Sequence, residues 1–538
     1  MGGLPRALHD SRFLLVLIFL MYAAFRFFLP TPYTLITGDI ARYLSLAQSF
    51  PHHLLYNNVL YAGHPPLYPY LTHVLGTVFA DYIAARMVSF FLALVFFITL
   101  VKLFRLLGKG RYWILCAMAL LSLNFYHIYL SNLGMKESAI IAFTFLAVYY
   151  YLKGLKHSPK YFIHSAIFSS LFLFTADLAI FLFPVFALMY IIYRDPETRL
   201  RHAIIPALVL LLSFSFWLLL KFSAYQQHAY YPDILGMLAP TEGVGFMQVF
   251  NPAYFSATAD LAHVGVIRDP VVFAQHAFYI VRSLVNLAYP FNLIGLDNVV
   301  LYHKVPYLFP LYAAITICML AALGSAGIRF ARTMRIRGNV DLFFLGITAI
   351  FFIPVIDAGL TPRHQIQLIV PFAYFTVEGL FILCRRLRLL PLLRRAVPAA
   401  IILSFIILIP LWVRANPYPL ITSVPLVPGA EAAAFLSTLP GEGVLDWGEV
   451  TGIAYLTDKR VVSLPQQKDD LDFQVSYLNI SYISFLEDPY YRSDKTITYI
   501  RLHPEKYRLI NAIDISYPDD ALVIGERQNR YYVYQVIR

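Results

Sequence analysis

Two residues three apart, Asp39 and Arg42 in Thr37-Gly38-Asp39-Ile40-Ala41-Arg42-Tyr43, are the first in the chain whose types and spacing could do chemistry. That spacing places both side chains on one face of a short helix. A carboxylate beside a membrane can bind a divalent cation or take a proton from an acceptor hydroxyl. A guanidinium can grip a phosphate through two parallel hydrogen bonds. An ordinary surface ion pair has the same spacing. A second stretch, Tyr61-Ala62-Gly63-His64-Pro65-Pro66-Leu67-Tyr68, offers His64 as a phosphate donor whose charge depends on its surroundings.

A third stretch is Asn132-Leu133-Gly134-Met135-Lys136-Glu137-Ser138. Glu137 is a second candidate acid and Lys136 a second candidate cation for phosphate. An acid here also suits the first turn of a helix, where the helix dipole favours it. Asp81 and Asp177 begin apolar runs in the same way. The fourth is Thr361-Pro362-Arg363-His364-Gln365, in which Arg363 could hold a phosphate or reach up to lipid headgroups.

The elements that must position these residues are mostly membrane spans. Hydrophobic residues make up 59% of the 538, charged residues 14%, and mean hydropathy is +0.64. A soluble protein needs more charge than that to cover its surface. Long apolar runs such as Phe13–Phe25 and Phe90–Leu100 approach the length that crosses a bilayer. The pattern predicts about eleven spans: 13–29, 82–104, 112–131, 137–153, 161–176, 178–193, 203–222, 306–328, 341–357, 365–384 and 396–413. Of the 42 Lys and Arg, 21 fall in alternate short loops, from Arg6 and Arg12 through Arg329–Arg337 to Arg385–Arg395. The positive-inside rule then puts the N-terminus in the cytoplasm, and an odd span count puts the C-terminus outside. Asp39 and Arg42 follow the first span on the outer side.

Two outer loops are long, 30–81 and 223–305, and the second holds a semi-apolar stretch from Val271 to Tyr289 that reads as an interfacial or packed helix. Four prolines between Asn416 and Pro428 mark 415–428 as a linker. Beyond it the charge balance reverses: residues 429–538 carry 11 Lys and Arg against 16 Asp and Glu. Short apolar runs alternate with polar helical stretches there. The expected architecture is a polytopic α-helical membrane domain over 1–414 and a small extracytoplasmic α/β domain over 429–538. The three cysteines (Cys116, Cys318, Cys384) lie in apolar spans and fit no metal or disulfide pattern. No P-loop, GxGxxG or HExxH stretch occurs, so a nucleotide cofactor is not expected. The excess of basic residues belongs to the inner loops and calls for no nucleic acid.

The D-x-x-R-Y signature at Asp39–Tyr43, with Pro65-Pro66-Leu67-Tyr68 after it, resembles the GT-C glycosyltransferases, in particular the aminoarabinose transferase and protein O-mannosyltransferase branch. Many spans, a long first outer loop and an outer C-terminal domain extend the resemblance over most of the chain. It implies a polyprenyl-phosphate sugar as donor, a protein, lipid or glycan acceptor, and transfer at the outer face of a cell membrane. It implies Asp39 as the catalytic carboxylate, Glu137 as a second site acid, and Arg42, Lys136, His64 and Arg363 as contacts to the donor phosphate. A divalent cation, Mg²⁺ or Mn²⁺, would be held by Asp39 and Glu137. Relatives often carry an acid and a lysine just before the Pro-Pro step, where this chain has Gly63 and His64. A transporter or lipid flippase is the competing class. It would need polar residues near the membrane midplane and, commonly, repeated halves. The spans here are nearly free of charge and no internal repeat is visible.

Overall fold

The computed structural model describes residues 10–36, 38–49, 55–56, 59–60, 65–194, 200–227, 309–334, 336–358, 366–427, 429–447, 450–457, 459–464, 468–487, 495–516, 518 and 528–537. His64, Arg363 and the stretch from Val271 to Tyr289 lie outside the described residues. The chain opens with α1 (Ser11–Phe27), capped by the Asp10 carboxylate, which accepts from the Arg12 N–H. Two short strands, β1 (Phe28–Leu29) and β2 (Tyr33–Leu35), lead into α2 (Gly38–Ser49). The hairpin β3 (Leu55–Tyr56) and β4 (Val59–Leu60) and helix α3 (Leu67–Gly76) complete the first loop.

The helical bundle continues with α4 (Asp81–Leu106), α5 (Arg111–Ser122), α6 (Phe125–Leu133), α7 (Glu137–Lys156), α8 (Tyr161–Leu173) and α9 (Leu182–Tyr193). Then come α10 (Leu200–Ala203), α11 (Ile205–Gln227), α12 (Phe309–Thr333), α13 (Val340–Ala358), α14 (Ile369–Arg386) and α15 (Leu390–Ala415). Neighbouring pairs pack side by side: α4 on α7, α7 on α8, α8 on α11, α12 on α14, and α1 on α15. One large apolar core runs through them, and many bulky residues on the outside of α11 and α15 stay exposed, as lipid-facing surfaces do.

Five described helices are long and apolar enough to cross a membrane: Asp81–Leu106, Glu137–Lys156, Leu200–Leu220, Ile366–Arg386 and Leu390–Ala415. The expected single span 112–131 is two helices, α5 and α6, bent by 51°; read as one they make a sixth. The break has a local cause. Asn124 sits between them, and its side-chain oxygen accepts from the His127 N–H, which starts a new helix. Expected span 13–29 matches α1 in length at 17 residues, while 161–176 and 178–193 overlap α8 and α9, which are shorter at 13 and 12 residues.

At the end of the bundle away from α2, polar groups pair tightly. The Lys109 ammonium lies 2.9 Å from Glu378 Oε2, and the Trp113 indole N–H donates to the same oxygen at 3.1 Å. The Tyr374 hydroxyl donates to Asp341 Oδ1 at 2.7 Å, and Arg329 meets Asp341 Oδ2 at 2.6 Å. These bonds tie α5, α12, α13 and α14 together.

The stretch 415–428, read from its prolines as a linker, is built into two small sheets with the first loop. Strand β5 (Tyr418–Pro419) pairs antiparallel with β1, and β6 (Val424–Leu426) pairs parallel with β2. Prolines fit because these are two- and three-residue edge strands. Beyond them lie α16 (Ala430–Ser437), β7 (Gly443–Trp447), α17 (Val450–Leu456), β8 (Arg460–Ser463), α18 (Lys468–Tyr477), β9 (Ile480–Leu486), α19 (Lys495–Leu502), β10 (Tyr507–Ser516) and β11 (Gln528–Val536). They form a five-stranded mixed sheet in the order β10-β11-β9-β7-β8. Strands β8, β7 and β9 are parallel, while β11 and β10 are antiparallel. Neighbours in β7 face opposite sides: Leu445 enters one apolar cluster with Ile483 and Phe485, and Val444 enters the other with Ala432 and Ile453. Asp446, fully buried, accepts from the Ser484 hydroxyl at 2.6 Å and from the Tyr531 hydroxyl.

Candidate active site

Helix α2 carries the acid and base on one face, as their spacing requires. Arg42 Nη1 stands 3.5 Å from Asp39 Oδ1, with the side chains 29% and 15% exposed. Asp39 falls in the first turn, where the helix dipole favours a carboxylate. Next to Arg42, Tyr43 is buried and meets Tyr68 of α3 edge-on, with ring centroids 5.3 Å apart. The Tyr68 hydroxyl lies within hydrogen-bond distance of Ala85 O and Ser89 Oγ on α4 and of Gly134 O. Burial pushes its phenol above the ordinary value; the Ser89 hydrogen bond opposes that, and the negative charge of Glu137 adds to it.

Glu137 is therefore part of the same neighbourhood. It is the first residue of α7 and only 3% exposed. Lys136, just before it, holds its ammonium 5.7 Å from the centre of the Tyr43 ring. Gly134 brings this turn in. It ends α6 in the left-handed conformation (φ +74), and a side chain there would meet the Arg86 backbone nitrogen at 3.0 Å. Only glycine meets both demands without strain. The structure thus brings α2, which carries Asp39 and Arg42, and the turn that carries Lys136 and Glu137 together at the Tyr43–Tyr68 pair. His64 and Arg363 cannot be placed with them, being outside the described residues.

The remaining acids have other partners. Asp81 Oδ2 accepts from Gln48 Nε2 at 3.1 Å, fastening the far end of α2 to the start of α4. Asp177 accepts from the Trp217 indole N–H at 2.7 Å. Two arginines inside apolar helices, Arg26 and Arg86, are buried. Arg86, 3% exposed, donates to Tyr33 O at 3.4 Å; its Nε and Nη1 have no hydrogen-bond partner among the described residues. Arg26, fully buried, lies 3.0 Å from His127 Nδ1 and over the Tyr22 ring. A charged residue inside an apolar run is the signal that marks both.

Two carboxylates make a partial ligand set for Mg²⁺ or Mn²⁺, which take about six donors. Among the described residues no group of three or more His, Cys, Asp or Glu gathers as a metal site. A large cleft of about 760 Å³ opens at the opposite end of the bundle, between Tyr190, Ile191, Arg194 and Met334, Ile336, Arg337. It touches none of the residues around Asp39.

Residues 39–176 match the family model described as dolichyl-phosphate-mannose-protein mannosyltransferase. The match begins at Asp39 and includes Arg42, Tyr68, Lys136 and Glu137. Two solved structures extend the likeness to the whole chain. The archaeal oligosaccharyltransferase AglB from Archaeoglobus fulgidus, in complex with an inhibitory peptide and a dolichol-phosphate, is 13% identical, with a TM-score of 0.53 over 92% of this chain and 71% of AglB. ArnT from Cupriavidus metallidurans, bound to undecaprenyl phosphate, is 11% identical, with a TM-score of 0.53 over 97% of each chain. The chain has the GT-C fold. No curated protein matches it in sequence. Within that GT-C fold the resemblance read from Asp39–Tyr43 and Pro65–Tyr68 holds, on the ArnT and mannosyltransferase side. The fold and the apolar helices make it an integral membrane protein.

Proposed function

We propose that this chain is a membrane glycosyltransferase that moves a sugar from a polyprenyl-phosphate donor to an acceptor hydroxyl or amine at the outer face of the membrane. The observation that carries the reading is that α2, with Asp39 and Arg42, and the turn with Lys136 and Glu137 meet at the Tyr43–Tyr68 pair, inside the segment matched to the mannosyltransferase family model. The lipid phosphates printed for AglB and ArnT support the donor class. The outer location rests on the 21 basic residues in alternate loops and places the C-terminal α/β domain outside as well.

In this reading the bond from the sugar's anomeric carbon to the phosphate oxygen breaks while a bond from that carbon to the acceptor forms. The sugar passes through an oxocarbenium-like state. Polyprenyl phosphate departs, and Arg42 with Lys136 stabilises the negative charge growing on it. Asp39 takes the acceptor's proton. Its partial burial strengthens each of these electrostatic effects relative to water. Glu137, next to Lys136 at the start of α7, contributes to the site's charge balance; with Asp39 it is the pair that would hold a divalent cation, which would add charge neutralisation at the leaving phosphate. His64 and Arg363 complete the phosphate contacts in this proposal.

The test is transfer of labelled sugar from a panel of polyprenyl-phosphate donors by the purified protein in lipid. Asp39→Asn should keep folding and expression and lower transfer by about 10²- to 10⁴-fold, the usual worth of a general base. Wild-type rates in that variant remove Asp39 from the mechanism.

A further inference from the structure

Helix α2 is held by parts of the chain nearly 400 residues away. Two residues before α2, the Ile36 N–H donates to Leu426 O of β6 at 2.9 Å. On the same strand pair, the Val424 N–H donates to Pro32 O at 2.7 Å, and the buried Thr34 hydroxyl donates to Ser423 Oγ at 2.9 Å. Thr34 lies five residues before Asp39. Further along, α17 of the C-terminal domain packs against α2 itself. Tyr455 of α17 stands close enough to Asp81 that, after burial, the charges of Asp81 and Tyr82 help push its phenol up to about 12. Asp81 is the same carboxylate that accepts from Gln48 at the last turn of α2. His73 Nδ1 lies 2.9 Å from Ala47 O, on that turn as well.

We propose that strand β6 and helix α17 form a clamp that sets the position of α2, with Thr34 and Ser423 as positioning residues for Asp39 and Arg42. The proposal rests on the glycosyltransferase reading for what α2 does, and on geometry alone for how α2 is held. The physical ground is leverage. Helix α2 has twelve residues, contributes few charges of its own to packing, and follows a short strand whose parallel partner is β6. Parallel pairing of three residues is weak in isolation, so a single buried side-chain hydrogen bond is a large share of what keeps the strands in register. Displacement of a reacting group by about 1 Å can cost about 10²-fold in rate. None of the clamp residues has to touch substrate for transfer to depend on them.

The experiment uses the full-length protein in lipid nanodiscs and four variants: Thr34→Val, Ser423→Ala, the two combined, and Thr34→Ser. Valine matches threonine in shape and lacks the hydroxyl, so the fold is kept and the bond is lost. Two readouts are taken, transfer kinetics with a polyprenyl-phosphate sugar and hydrogen–deuterium exchange of peptides covering 39–47. Thr34→Val and Ser423→Ala should each lower kcat about tenfold with little change in the donor KM. The double variant should be no worse than the weaker single one, because both remove the same bond. Thr34→Ser, which keeps the hydroxyl, should recover most of kcat. Exchange in 39–47 should quicken several-fold in the valine variant. Unchanged exchange there overturns the clamp, as do multiplicative losses in the double variant or a serine variant as slow as the valine one. A wild-type protein that transfers no sugar from any donor overturns the functional reading instead, and the exchange result still decides the clamp.

Discussion

The two ends of the helical bundle use charge differently. Helices α4 and α7, at 26 and 20 residues, separate them by about 30 to 40 Å at 1.5 Å per residue. At the far end, Lys109–Glu378 and Arg329–Asp341 pair at 2.9 and 2.6 Å, and Tyr374 and Trp113 fill further acceptor positions on the same carboxylates. At the near end, Asp39 and Arg42 stand 3.5 Å apart, with Lys136 over an aromatic ring and Glu137 in a helix's first turn. Close pairing with satisfied donors ties helices together. A wider pair of one acid and one guanidinium beside a second acid and ammonium can exchange its partner for a substrate group. Equal charge content thus serves cohesion at one end and, in the proposed function, chemistry at the other.

That contrast can be broken by moving substitutions between the ends. The largest expected effect beyond Asp39 is at Arg42. Arg42→Ala should cut transfer about 10²-fold with little loss of stability, and Arg42→Lys should recover part of it, since a lysine keeps the charge and loses the fork. Steady-state kinetics with a polyprenyl-phosphate sugar reads both. Next is Glu378→Gln. It leaves Lys109 without its carboxylate and should lower stability by about 1 kcal/mol, the pair being only part-buried, while kcat per folded molecule stays near wild type. Thermal unfolding in detergent measures that shift. A loss of kcat with unchanged unfolding would mean that the far end takes part in catalysis. A third substitution, back at the near end, is Tyr68→Phe. Loss of the hydroxyl at Ala85, Ser89 and Gly134 should cost about 1 kcal/mol and lower transfer a few-fold by loosening the Gly134–Glu137 turn. An effect as large as that of Arg42→Ala would put Tyr68 in contact with the reacting atoms.

The membrane helices were legible because hydrophobic length is a local property. The runs behind α4, α7, α11, α14 and α15 could be read from the residues within each. The span 112–131, read as continuous, is bent at a single capping side chain, Asn124, inside an otherwise apolar stretch. Asp39 and Arg42 were legible as a pair because the helical repeat is local too. Lys136 and Glu137 were legible as candidates, but their nearness to α2 was not. It depends on Gly134 turning left-handed against Arg86 and on the Tyr43–Tyr68 contact. Proline content suggested a linker at 415–428; backbone pairing with partners far away in sequence makes strands of 418–419 and 424–426 within it.

Composition and the length of the apolar runs by themselves determined that this is a membrane protein, and the helical repeat determined that one face of a short helix carries an acid and a base; the GT-C fold entered from the sequence only as a resemblance of the Asp39–Tyr43 signature. Each of those is settled by residues within a few turns of one another. The tertiary structure alone decided that Lys136 comes within 5.7 Å of the Tyr43 ring centre, and that the strand 424–426 pairs with the strand just before α2. Contacts between distant segments form only when the whole chain packs, and no local pattern of residues encodes which distant partner a short strand or a buried ring will meet.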